Sequence, residues 1–257
     1  MRVAPSPQFT SERRLDDGVL ERAFLLDGIP GYLWTPEATP DTAPAPLVLI
    51  GPPPLGLPKT YARLAGRARH YAARYGFAAA TIELPGSGDR PRWEAAEQAR
   101  AALRRAIQAG EPVGPDLVDA LVLPLVDKAA PEWRTALDAL LALPGIGGPV
   151  GYEGGLISLG VRLAATEPRI AAAGLFAGSR IPAAVVEEAR TVTIPLLVLL
   201  QWDDEGNDRQ EALDLFDAFA SREKTLHANL GGHTGVPAHE LDAGARFFAR
   251  HLRGGGR

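Results

Sequence analysis

Short apolar runs at 47–50, 77–84, 149–152, 171–176 and 195–200 punctuate the chain, and stretches with helical spacing of apolar residues lie between them. Runs of this length, bounded by Gly and Pro, read as strands buried on both faces. Strands that alternate with helices build a mostly parallel sheet covered on both sides, with its site at the carboxyl ends of the strands. Ahead of these runs, residues 20–26 and 29–34 flank Asp27-Gly28, a pair suited to a two-residue turn with positive φ, which predicts an opening β-hairpin. Pro30 places one of its strands near a sheet edge. Residues 225–229 read as the last strand and 238–252 as the final helix. The Pro/Ala/Thr-rich segment 36–46 reads as a surface connection, and the first ten or so residues and the Gly254-Gly255-Gly256 tail as disordered ends.

Residues 90–132 break the alternation. They hold a helical pattern from Trp93 to Gln108, a Gly/Pro break at 110–115 and a second apolar helical run at 116–130. An insertion of this size above the carboxyl edge of a sheet is a cap, a lid or the wall of an access tunnel. Helices that merely thicken the domain are an equal reading.

Composition narrows the function classes. A chain of 257 residues, 46% of them apolar, suits one α/β domain over 1–257 with a sizeable core. No run approaches the roughly 18 apolar residues of a membrane span, and the first residues hold no apolar stretch like that of a signal peptide. The expectation is a soluble, cytoplasmic protein. The absence of cysteine excludes disulfides, thiolate catalysis and Cys-based metal sites. A net charge of −4 argues against a nucleic-acid footprint. The excess of Arg over Lys and the abundance of Ala suggest a GC-rich bacterial genome. The expected partner is a small-molecule substrate, with no cofactor, no metal, no nucleic acid and no membrane, and a homodimer is left open.

The candidate chemistry begins at Gly148-Pro149-Val150-Gly151-Tyr152-Glu153-Gly154-Gly155, a buried strand running into a sharp turn and then a helix. With serine in place of Glu153 the segment would read Gly-x-Ser-x-Gly, the turn that holds a nucleophile exposed between strand and helix. The run 195–200 continues into Gln201-Trp202-Asp203-Asp204-Glu205, which places an acid four residues past a strand end. Asp204 is preferred and Asp203 is its neighbour. Leu230-Gly231-Gly232-His233-Thr234 places a histidine in a glycine-permitted turn before the final helix. The order apex, acid, histidine is that of a catalytic triad. His70 and His251 fall in helical patterns, His227 in a strand and His239 at a helix start. Trp202 is the aromatic residue expected to border the site, with Tyr152 as core or pocket wall, like Trp93 and Trp133.

In these motifs, together with Leu84-Pro85-Gly86-Ser87-Gly88-Asp89, the chain resembles the α/β-hydrolase superfamily, and more narrowly its dienelactone-hydrolase-like and esterase-like members. The resemblance covers about residues 18–252. It implies an α/β-hydrolase fold, with a mostly parallel eight-stranded sheet flanked by helices and a pocket beneath a helical cap. Two departures stand out. Glu153 has no proton for His233 to remove, so hydroxyl activation cannot operate there. The loop Gly51-Pro52-Pro53-Pro54-Leu55-Gly56 replaces a His-Gly-rich loop whose backbone helps to bind an oxyanion, and proline has no N–H. The remaining expected donors are Gly154, Leu55 and Gly56. Ser87 and Ser158 are minor alternatives as nucleophiles.

Three functions remain open for a site of Glu153, Asp204 and His233. Glu153 attacks an epoxide, ester or activated lactone, and His233 with Asp204 activates water to release the product. This resembles the aspartate-nucleophile dehalogenases and epoxide hydrolases, although glutamate is longer, Gly154 replaces a halide-binding tryptophan and residues 90–132 hold no tyrosine. Alternatively, Glu153 and His233 act as base and acid in a cyclase, lyase or isomerase. The third reading is a non-catalytic binding protein.

Overall fold

The structure, a computed structural model, describes residues 5–37 and 43–253. Part of the 36–46 connection, the first four residues and the Gly254-Gly255-Gly256 tail lie outside the described residues.

The hairpin forms from β2 (Val19–Leu26) and β3 (Ile29–Pro36), with Asp27 at φ 49° and Gly28 at φ 79°. Two successive left-handed residues give a turn whose twist matches that of the strands. The remaining strands are β1 (Gln8–Leu15), β4 (Ala45–Gly51), β5 (Ala78–Ile82), β6 (Ile146–Gly154), β7 (Ile170–Phe176), β8 (Leu196–Gln201) and β9 (Lys224–Asn229). They form one sheet in the order β1-β2-β3-β5-β4-β6-β7-β8-β9, parallel from β5 to β9 and antiparallel from β1 to β5.

Two expectations are corrected here. The sheet has nine strands, not eight, because β1 begins within the segment read as a disordered end. Its residues are exposed almost throughout, so it carries no apolar alternation; it pairs with β2, and Arg13 adds bonds to Glu21 and to Tyr61 of α1. β3 lies between β2 and β5 and is interior, not near an edge. Pro30 is accommodated because it lies opposite Glu83, just past the end of β5. The Glu83 N–H donates to the Pro30 carbonyl at 2.8 Å, and Arg90 Nη1 bonds the Glu83 carbonyl that Pro30 cannot reach.

Helices α1 (Leu57–Tyr75) and α7 (His239–Arg253) cover one face, burying Tyr71, Phe77 and Phe248 against Val48, Ile50 and Ala172. The other face is covered by α3 (Pro115–Leu141), α4 (Ile157–Thr166), α5 (Ala183–Ala189) and α6 (Arg209–Ala218). The two faces alternate along β6. Val150 and Tyr152 join the α3/α4 core, whereas a side chain at Gly151 would meet Phe248 of α7.

The segment 90–132 is not a separate insertion of two helices. Helix α2 (Glu94–Ala109) lies within it, but α3 continues through Pro131 to Leu141. Two prolines inside a helix each cost about 3 kcal/mol. Burial of Ala129, Trp133, Ala136, Leu137 and Leu140 on the sheet outweighs that cost, since each large apolar side chain contributes roughly 1.5–3 kcal/mol. No helix among the described residues is long and apolar enough to cross a membrane.

Candidate active site

β8 and β9 end side by side, and the loops that leave them are tied together. Trp202 N–H donates to the Asn229 carbonyl (2.7 Å), Asp203 N–H to the Gly231 carbonyl (3.2 Å), and Gly231 N–H to Asp203 Oδ2 (3.1 Å). Gln201 Nε2 donates to the Gly232 carbonyl (3.1 Å), and Gly235 N–H closes the turn onto the same carbonyl (2.8 Å). Gly231 takes φ 129°, a conformation that glycine adopts without strain. This scaffold delivers His233 Nδ1 to Asp204 Oδ2 at 2.7 Å. Asp204, not Asp203, holds the ring.

Asp204 is buried, at 8% exposed, and both of its oxygens are bonded. Asn207 Nδ2 reaches Oδ2 at 2.6 Å and Gly206 N–H reaches Oδ1 at 3.1 Å. Burial opposes its ionisation, but the bonds from His233, Asn207 and Gly206 outweigh it and hold the carboxyl below its usual range. A carboxylate at Nδ1 fixes the imidazole proton on that nitrogen and leaves Nε2 to take or give a proton. The His233 side chain is half-exposed and its ring meets Phe176 edge-on at 5.3 Å.

The pair borders a cavity of about 900 Å³. Leu103 of α2 and Val118, Leu121, Val122 and Leu125 of α3 supply its apolar wall, opposite Gly178, Ser179, Gly232 and His233. The amino-terminal half of α3 thus roofs the cavity while its other half builds the core. Arg100 and Arg180 also line it, paired to Glu97 and Glu211 at 2.6 and 2.8 Å. Among the described residues no group of three or more His, Asp or Glu side chains is arranged to hold a metal ion.

The expected partnership of Glu153 with His233 is corrected. Glu153 lies in β6 between Ile50 of β4 and Gly174 of β7, and its side chain enters the α1/α7 face. Tyr71 Oη donates to Glu153 Oε2 at 2.5 Å, and Arg67 Nη1 is 3.7 Å from Oε1. A side chain at Gly244 of α7 would stand 3.1 Å from Oε1, so the carboxylate is enclosed there. The physical reason is strand length. β6 runs on to Gly154, and the turn is made by Gly154 and Gly155, at φ 71° and 65°. Glu153 is therefore still on the pleat, not at the apex, and Leu156 is the residue that this turn presents to the cavity.

The expected oxyanion and pocket residues also fall outside the lining. Leu55 N–H is taken by the Pro53 carbonyl (2.7 Å), and the Leu55 side chain is exposed. Gly56 precedes α1 at φ 94°, its Cα facing the backbone of Gly88. Gly154 faces Arg67. Tyr152 is fully buried against Trp133, 6.0 Å away edge-on. Trp202 points outward and carries the Arg209 guanidinium over its ring at 4.2 Å. From the proline loop, Pro54 alone reaches the cavity. Ser87 and Ser158 are buried away from it.

Sequence reasoning missed Leu156, Ser179 and Asn207, whereas the α2/α3 wall lies within the segment 90–132 that it read as a cap or tunnel wall. The Gly178-Ser179 loop follows the apolar run 171–176 directly, so the rule that sites gather at carboxyl ends of strands pointed to it.

The strand order, the helices on both faces and the acid–histidine pair at the carboxyl edge define the α/β-hydrolase fold. Solved structures agree. A cold-adapted esterase from an Arctic intertidal metagenomic library matches with TM-score 0.66 and 28% identity, over 95% of this chain and 98% of that one. The acetyl xylan esterase from Paenibacillus sp. R4 matches with TM-score 0.66 and 15% identity, over 98% and 90% of the two chains. A 2,6-dihydroxy-pseudo-oxynicotine hydrolase matches with TM-score 0.63 and 16% identity, over 91% of this chain and 68% of that one. The last two likenesses concern the fold alone. No family model matches the sequence, and no curated protein matches it significantly.

Proposed function

We propose that the protein is a hydrolase that cleaves an ester- or lactone-like bond in a small hydrophobic substrate, with His233 as proton acceptor and donor and Asp204 as the group that orients and charges it. The observation that carries this reading is the 2.7 Å bond between His233 Nδ1 and Asp204 Oδ2 at the wall of an apolar cavity of about 900 Å³. Such a pair contributes typically 10²–10⁴-fold as a general base and acid. The esterase 28% identical over nearly the whole of both chains supports the same reaction class. A covalent glutamyl route through Glu153, as an epoxide or activated lactone would require, has less support, since Tyr71 and Arg67 hold that carboxylate on the α1/α7 face.

The test is a panel of p-nitrophenyl esters of graded acyl length and aliphatic lactones. Turnover that falls at least about 10²-fold in His233→Ala, with the fold intact by circular dichroism, supports the reading. Absence of turnover on every member overturns it.

A second reading is favoured by Leu156 standing where the turn after β6 meets the cavity. Without a hydroxyl at that turn, His233 and Asp204 serve a cyclase, lyase or isomerase by proton transfer alone, or the cavity binds its ligand without reaction. Hydrophobic ligands that bind but return unchanged would select the binding role.

A further inference from the structure

Gln201 ends β8 with a buried amide in an otherwise apolar strand, Leu196-Leu197-Val198-Leu199-Leu200-Gln201. Its Nε2 is bonded, but its Oε1 is buried without a partner. An apolar side chain would occupy that place without leaving an oxygen unpaired, so a half-satisfied amide there needs an explanation.

The residue joins two loops. Its backbone carbonyl accepts from Asp204 N–H at 3.4 Å, closing the turn that carries the acid. Its side chain crosses to the neighbouring loop, where Nε2 donates to the Gly232 carbonyl at 3.1 Å, one residue before His233. Gly231 and Gly235 close around the amide, and a Cβ on either would stand 3.5 Å from Nε2. The other bonds between the two loops end at Asn229 and Gly231. Past Gly231 the chain is exposed and runs Gly232-His233-Thr234-Gly235, and glycine is the residue with the most backbone freedom to lose. Among the described residues, the Gln201 amide and the Asp204–His233 bond itself are the two side-chain hydrogen bonds that reach this stretch.

Resting on the reading of His233 as proton acceptor and donor, the geometry points to Gln201 as a positioning residue. Its amide sets the backbone before His233 against the Asp204 turn, so that Nδ1 meets Oδ2 and the ring keeps its proton on Nδ1. Gln201 touches no reacting atom. The Gly232 carbonyl also accepts from Gly235 N–H at 2.8 Å, so loss of the amide leaves that carbonyl paired. A side chain kept for folding and one kept for alignment therefore behave differently when an apolar residue of like length replaces them.

Gln201→Met is that replacement, since it removes the unpaired Oε1 and the tie together while filling the same space. Nitrogen-15 shifts of the His233 ring, assigned against His233→Ala, report at alkaline pH which nitrogen holds the proton, and no substrate is required. In the wild type the proton is expected on Nδ1, where Asp204 accepts it. In Gln201→Met the expected result is a mixture of tautomers with an unchanged urea midpoint. On the ester panel kcat should fall at least about tenfold while KM holds. A His233 ring that stays Nδ1–H in folded Gln201→Met overturns the proposal, as does a wild-type ring that is not Nδ1–H, or an unchanged kcat where the wild type turns over. If Gln201→Met fails to fold, Gln201→Asn, which keeps a buried amide but shortens its reach by one methylene, is put through the same measurements and decides in the same way. No wild-type turnover on any ester rejects the hydrolase reading itself, and the tautomer alone then decides for Gln201.

Discussion

Tyr71 of α1 donates a 2.5 Å hydrogen bond to Glu153 of β6, beneath the sheet from the cavity that His233 faces. Burial and then the Glu153 charge push the Tyr71 hydroxyl well above its usual pKa, so it remains a donor. The same carboxylate raises that of Arg67. Glu153 thus holds two helix α1 side chains against the strand that leads into the Gly154-Gly155 turn.

Removing the charge should therefore act on stability. Glu153→Ala leaves Tyr71 and Arg67 without their acceptor. Breaking a buried pair costs about 3–5 kcal/mol, and because Arg67 keeps 28% of its side chain in solvent, part of that is screened and about 2–3 kcal/mol is expected. Urea unfolding measures the loss. Glu153→Ser should be destabilised similarly and gain no esterase activity, because its hydroxyl would face α1 and α7. A gain in ester turnover by Glu153→Ser would contradict that placement.

The Asp204–His233 bond predicts an acid-side signature. The folded Asp204 carboxyl is held below its unfolded value. Its contribution to stability is accordingly present above an unfolded pKa of about 3.9 and is lost as the pH falls through the depressed folded value. Wild type should exceed Asp204→Asn in stability at about pH 5, and the margin should shrink below about pH 4. Denaturant titrations of both proteins at four or five pH values check this. A margin that grows as the pH falls below about 4 has the wrong sign for the assignment.

The wall of the cavity sets the length of group that fits. Val122, on the roofing half of α3, lines it without belonging to the fully buried core. Val122→Trp should fill space there, raising KM for long acyl esters at least about tenfold, equivalent to roughly 1.4 kcal/mol, while acetyl esters change little. Equal effects on short and long substrates would mean that acyl chains bind elsewhere.

Much of this architecture was legible in the sequence, for identifiable reasons. Asp27-Gly28 wrote its own turn, and the apolar runs marked the interior strands because both faces are covered. His233 and Asp204 were placed by short loops that leave little freedom between a strand end and its next element. The unread parts lacked a local signal. β1 is exposed on nearly every residue and is specified by pairing, and α3 passes two prolines because tertiary burial overrides propensity. Glu153 was misplaced by a pleat. A motif match fixed its sequence position at the apex, but Gly154 and Gly155 carry the turn beyond it, and one residue of strand decides which face a side chain enters. Ser179 belongs to no motif of the fold, so only its place in the cavity lining draws notice.

Gly178 offers the last prediction, because it separates holding the His233 ring from binding substrate. A methyl group at Gly178 would overlap the Phe176 ring and would lie only 2.9 Å from His233 Cε1, so both must shift. The two rings already meet edge-on, and the His233 side chain, 52% exposed on a loop, is displaced with Phe176. Gly178→Ala should therefore push the imidazole aside and lengthen its 2.7 Å bond to Asp204. Since the apolar wall on α2 and α3 is untouched, KM should hold while kcat falls about 10²-fold, as expected when a group acting in the transition state is misplaced by an ångström. The cost in stability should be about 1–3 kcal/mol, the size typical of forcing an extra group against packed neighbours. Steady-state kinetics on the best ester of the panel, together with thermal unfolding, test both parts. An unchanged kcat would show that the ring tolerates the displacement, and a raised KM with constant kcat would move Gly178 from the His233 ring to the substrate's binding surface.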